Sequence, residues 1–129
     1  MRILIIEQDL IAQKILQILI DRIVKAEIYI TSENDEALTI IQETLPDLIF
    51  TDFRMRDNDN RKTLIEIIRN NESIRHIPII VFTCSLFLAD REAAEHAGVN
   101  EYYTSHVTKD VLSVLFEKYA PQVKKVQLS

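Results

Sequence analysis

Glycine occurs once in the 129 residues (Gly98), cysteine once (Cys84), and tryptophan not at all. With a single glycine there can be no glycine-rich loop cradling nucleotide phosphates and no glycine turn of a dinucleotide site, since both need several residues without a Cβ. A lone cysteine excludes an internal disulfide and fits a reducing compartment. His76, His96 and His106 lie far apart without thiol partners, so zinc-binding spacing is missing too. No apolar run approaches the roughly 18–20 residues of a membrane span. The N-terminus passes directly into Arg2-Ile3-Leu4-Ile5-Ile6, without the small-residue cleavage site of a signal peptide. A cytoplasmic location and no membrane partner are expected. Positive charge is also in short supply. Fifteen Lys and Arg against 20 Asp and Glu give a net charge of −5, and the one basic cluster is Lys124-Lys125. Phosphate backbones want clustered cations, so direct nucleic-acid binding is not expected.

What is present is an ordinary soluble composition, 47% hydrophobic and 27% charged, in a length that suits one core. Short β-rich apolar runs alternate with segments of helical periodicity. Strands are predicted over Arg2–Ile6, Glu27–Thr31, Asp47–Asp52, Ile77–Thr83 and Val99–Thr104. The helix after the first strand is predicted from Leu10 to Val24, capped by Asp9, with Ile11, Ile15, Leu16, Leu19 and Ile23 inward. A second, capped by Ser32 or Asn34, carries Ala37, Leu38, Ile41 and Leu45 and stops before Pro46. Leu64, Ile67 and Ile68 define a third, Ala89–Ala97 closed by Gly98 a fourth, and Val107–Tyr119 a fifth. Five β-α units in succession predict an α/β fold, a doubly wound five-stranded parallel sheet with right-handed crossovers.

In such a sheet, ligands and chemistry collect at the carboxyl edge. The strand ends there carry Glu7 and Gln8, Asp52, Thr83 with Cys84, and Ser105. Carboxylates with a hydroxyl nearby suit one use above others. Oxygen ligands hold a hard cation such as Mg²⁺, the cation neutralises an incoming phosphoryl group, and a carboxylate attacks it. The bland alternatives are a loop-capping Asp52, a solvent-facing Glu7, and Thr83 and Tyr102 as simple strand formers. Cys84 reads as a small buried hydrophobe.

The order of elements, the acidic end of the first strand, "PDLIFTD" with "RM" behind it, "IPIIVFT" and "AGVNEYYT" resemble the receiver domain of two-component response regulators. The likeness runs over about Met1 to Tyr119, which implies a receiver domain over 1–120 and a tail or linker over 121–129. It implies flavodoxin-like topology with strand order 2-1-3-4-5, no enzymatic activity, and a histidine kinase or phosphotransfer protein as partner. By position, Asp52 matches the phospho-accepting aspartate and Glu7 the acid that orients metal-bound water. The backbone carbonyl of Arg54 matches a third Mg²⁺ ligand. Thr83 matches the hydroxyl that follows the phosphoryl group, and Tyr102 the aromatic whose inward swing reports phosphorylation.

Two positions depart from that pattern. Gln8 stands where the family has a second acid that binds the metal directly, so a neutral amide oxygen replaces a charge and Mg²⁺ should bind weakly. Ser105 stands where the family has a lysine that pairs with the phosphoryl oxygen, and His106 replaces the proline after it. Arg56, Asp57 and Asn60 stand in for a Pro-Gly and a later glycine. The sequence therefore supports a receiver that accepts phosphate at Asp52 with a weakened metal site, or a receiver-like module that binds proteins without phosphorylation. Leu86-Phe87-Leu88 beside Tyr102-Tyr103 reads as an apolar partner face centred on Phe87 and Tyr103, open to a second copy of the chain.

Overall fold

The computed structural model describes residues 1–54, 60–104 and 106–119. The five apolar runs form strands β1 (Arg2–Ile6), β2 (Glu27–Thr31), β3 (Leu48–Thr51), β4 (Ile79–Phe82) and β5 (Glu101–Tyr103). Between and after them lie α1 (Leu10–Asp21), α2 (Asn34–Thr44), α3 (Arg61–Arg69), α4 (Leu88–Ala97) and α5 (Lys109–Tyr119). All strand pairs are parallel and the order is β2-β1-β3-β4-β5, so the expected doubly wound topology holds.

Successive strand side chains point to opposite faces, and both faces are covered, which is why the central strands are apolar throughout. Leu4, Ile6, Ile49, Ile79 and Val81 face α2, α3 and α4, where Ile41, Leu64, Ile68 and Ala94 meet them. Ile3, Ile5, Leu48, Phe50 and Ile80 face α1 and α5, where Leu16, Ile20, Leu112 and Phe116 complete a second core. The Phe116 ring stands edge-on to Phe50, centroids 6.3 Å apart.

The local boundaries follow capping chemistry. The Asp9 carboxylate accepts from the N–H groups of Ile11 and Ala12, satisfying two donors at the start of α1 as the sequence predicts. That helix ends three residues before the expected Val24, because the N–H of Ile23 turns back tightly to the Ile20 carbonyl. Its inward face also differs from the expectation. Leu16 and Ile20 are buried, while Ile11, Ile15 and Ile18 are exposed. Aliphatic residues surround much of this helix, so periodicity alone does not say which stripe the sheet takes. Leu45 and Ile67, expected inside, are likewise exposed; Leu45 ends α2 in the left-handed region at φ 50°, and Ile65 is buried in α3 in place of Ile67.

Gly98 ends α4 at φ 113°, the left-handed conformation the sequence predicts for it. A Cβ there would lie 2.9 Å from Arg69 Cγ. The Arg69 guanidinium packs against this turn and donates to the carbonyls of Gly98, Arg75 and Ile77. No described helix is long and apolar enough to cross a membrane. The expected tail over 121–129 lies outside the described residues.

Candidate functional site at the carboxyl edge

Three backbone bonds carry the sheet ladder one residue past the strand ends. The N–H of Glu7 donates to Thr31, that of Asp52 to Ile6 and that of Thr83 to Tyr103, each at 3.0 Å. Adjacent strands thus fix the backbone from which these three side chains project, and all three line one space at the edge of the sheet. Ser105 lies outside the described residues, and so does Met55 of the "RM" pair.

Asp52 is 7% exposed. Its side chain is enclosed at the end of β3. A buried carboxylate needs a partner, and the partner is Arg61, the first residue of α3 and 1% exposed. Its Nε and Nη2 both donate to Asp52 Oδ1, at 3.0 and 2.9 Å. Asp52 Oδ2 accepts from the Gln8 N–H at 3.2 Å. Arg61 Nη1 reaches past this carboxylate to the side-chain oxygen of Asn34, where α2 starts. Asn34, expected as a possible cap, therefore serves the arginine, and the residue before it, Glu33, makes no side-chain cap.

Arg61 escapes sequence reading because a charged residue beside Asn60 and Lys62 looks like solvated helix surface. Its burial follows from where α3 starts against the sheet, which no local pattern encodes. The available signal was indirect: a fully enclosed acid at the end of β3 must find a cation or a proton.

Glu7 finds the proton. Burial, then a hydrogen bond with the Asp52 carboxylate, then the negative charge of that carboxylate push the Glu7 carboxyl from its ordinary 4.5 to about 8. The two neighbouring carboxyls thus favour a proton between them, held at Glu7 and shared with Asp52. Its Oε2 accepts from the Asp9 N–H at 3.1 Å, and its carbonyl accepts from the Gln13 amide. The Gln8 side chain lies exposed on a polar cleft shared with Ser32, Asn34 and Arg61, and Asp52 and Arg54 line both this cleft and the space in front of Glu7.

The Thr83 hydroxyl is buried and donates to the Phe53 carbonyl at 3.0 Å, while accepting from the Ser85 N–H at 3.1 Å. Tyr102 is turned inward, 9% exposed, in the core under α4, with the Arg91 guanidinium 5.6 Å from its ring centre. Its buried hydroxyl has no hydrogen-bond partner among the described residues. Burial raises the Tyr102 pKa first, with the nearby Asp90 charge adding to it. Tyr103 projects to the opposite face, stacked on Phe82 with centroids 5.2 Å apart. Phe87 precedes α4 without a side-chain cap, and it is exposed together with Leu86 and Leu88. Cys84, read from the sequence as buried, is exposed at the edge of the site because the chain leaves the sheet just after Thr83.

The chain belongs to the response regulator receiver domain family, whose model matches residues 3–117. Receiver domains are generally non-enzymatic modules of two-component signal transduction, and they generally interact with histidine kinases or phosphotransfer proteins. The chain is 28% identical over 91 residues to Protein PilG of Pseudomonas aeruginosa, covering 70% of this chain and 67% of that one. The fold is similar to the receiver domain of sensor histidine kinase PA1611 from Pseudomonas aeruginosa PAO1, which has magnesium coordinated in its active-site cleft (TM-score 0.79, 22% identity, 92% of this chain and 95% of that one). It is also similar to the Mn²⁺-bound form of response regulator Rcp1 (TM-score 0.72, 23% identity, 90% of this chain and 91% of that one).

Proposed function

We propose that this receiver acts as a protein-binding module in a two-component pathway without being switched by phosphorylation. The two-pronged donation from buried Arg61 to Asp52 carries the reading. A carboxylate whose charge is drawn to a cation is a weaker nucleophile toward phosphorus, and here Arg61 engages one oxygen of the acceptor position and a backbone N–H the other. Two further features agree with it. The Thr83 hydroxyl is committed to the Phe53 carbonyl, and Tyr102 is already inward.

The donor set fits a divalent cation poorly. Gln8 brings a neutral amide where a charged oxygen is wanted, and the Asp52 charge is already matched by Arg61. Charge count tunes such sites, so Mg²⁺ binding through Glu7, Asp52 and the Arg54 carbonyl should be weak. Exposed Leu86, Phe87 and Leu88 are the proposed partner face, for a phosphotransfer protein, a histidine kinase or a second copy of the chain, without Tyr103, which was expected beside them but packs on Phe82. Residues 1–120 are the proposed functional unit.

Phosphoryl acceptance at Asp52 is the second reading, because Glu7, Asp52 and Thr83 do open onto one space. Intact mass decides between them. The protein is incubated with Mg²⁺ and acetyl phosphate beside Asp52→Asn. Neither protein is expected to gain the mass of a phosphoryl group. A stoichiometric adduct on the unmutated chain, absent from Asp52→Asn, sinks the first reading and establishes the second.

A further inference from the structure

Building on the weak metal site proposed above, we infer that the guanidinium of Arg61 is a built-in cation that stands in for the divalent ion at Asp52, and that Asn34 steers it there. The oxygen ligands expected from the sequence do not converge on one space. Gln8 lines the polar cleft between α2 and α3, Glu7 lines the apolar space on the other side, and Asp52 and Arg54 line both. Among the described residues, no three acidic, histidine or cysteine side chains gather closely enough to hold a metal ion. A hard cation needs such convergence of oxygens, and charge among them. On the same cleft, Gln8 leaves out a negative charge and Arg61 adds a positive one. Both changes act in one direction.

The guanidinium is fixed from two sides. Nε and Nη2 donate to Asp52 Oδ1, and Nη1 donates to the side-chain oxygen of Asn34, so every nitrogen of the group is engaged. A planar fork of donors can serve two acceptors in this way, whereas an ammonium is a single point of charge. Arg61 opens α3 and Asn34 opens α2, so the starts of two helices set where the charge sits. A divalent ion bound to Asp52 would meet this buried positive charge at close range, and like charges repel strongly where water is excluded. Arg61 thereby keeps metal from the carboxylate. Asn34 is a positioning residue that acts through the arginine.

Mn²⁺ is the probe, with the free ion read by electron paramagnetic resonance. The unmutated chain is expected to bind it with a Kd weaker than about 1 mM. Arg61→Met removes the resident cation and should tighten Mn²⁺ binding by about tenfold or more, a gain that adding Asp52→Asn abolishes. Asn34→Ala keeps the arginine but takes away its second anchor, and should tighten binding by about twofold or more. Added to Arg61→Met it should change nothing. Asn34→Ala decides the matter if Arg61→Met does not fold. An unmutated chain that binds more tightly than about 1 mM overturns the proposal, as does unchanged affinity in folded Arg61→Met or a gain that survives Asp52→Asn. Unchanged affinity in Asn34→Ala overturns the part given to Asn34, and the whole where Arg61→Met does not fold. The titration uses no phosphodonor. A phosphoryl adduct on the unmutated chain would sink the proposed function and leave the metal result standing, whereas unchanged Mn²⁺ affinity in Arg61→Met would sink this inference alone.

Discussion

Arg61 and Asp52 stand nine residues apart in the chain, yet the guanidinium places two nitrogens within 3.0 Å of one carboxylate oxygen. Such a pair gives little net stability over a well-packed apolar replacement, but breaking it from one side leaves a bare charge in the interior. Arg61→Met is expected to lose about 3–5 kcal/mol in urea unfolding. Asp52→Asn/Arg61→Met should lose markedly less than the two single changes added together. Simple additivity would show that the two side chains are not coupled.

Glu7 makes stability fall as pH rises. Its folded pKa of about 8 lies above the 4.5 of the unfolded chain, so the folded state binds more protons between those values. The contribution is therefore complete below about 4.5 and is lost as pH rises through about 8. Denaturation midpoints measured across this window should decline, and Glu7→Gln should flatten the decline. A slope that persists in Glu7→Gln assigns it to other groups.

Gly98→Ala is expected to destabilise by about 1–3 kcal/mol, through the left-handed backbone and the Arg69 side chain that a Cβ would strike. Urea midpoints read the loss, and a neutral result would mean that the turn can relax.

Tyr102→Phe is expected to be neutral or to stabilise by up to about 1 kcal/mol, because it removes a buried hydroxyl that lacks a partner among the described residues. Chemical denaturation measures this as well. A loss above about 1 kcal/mol would show that the hydroxyl does have a partner.

The fold was legible because each element announces itself locally. Four or five largely β-branched or apolar residues make each of β1 to β4, Asp9 caps α1, and Gly98 ends α4. Glu7, Asp52 and Thr83 could be placed together because parallel topology brings strand ends to one edge. Three things were not legible. The burial of Arg61 depends on the approach of α3 to the sheet, the exposed stripe of α1 on which of several aliphatic faces meets β1 and β3, and the exposure of Cys84 on how the chain leaves β4. Each is decided between elements, at separations where spacing in sequence carries no information.

Arg61 divides its guanidinium between Asp52 and Asn34, and Asn34 begins α2. A disturbance of the acid is thereby wired to the helix beside β1 and β2, while the hydroxyl of Thr83 is tied down at Phe53. Whatever this carboxylate senses would be felt first on the α2 flank of the molecule, the side away from β5.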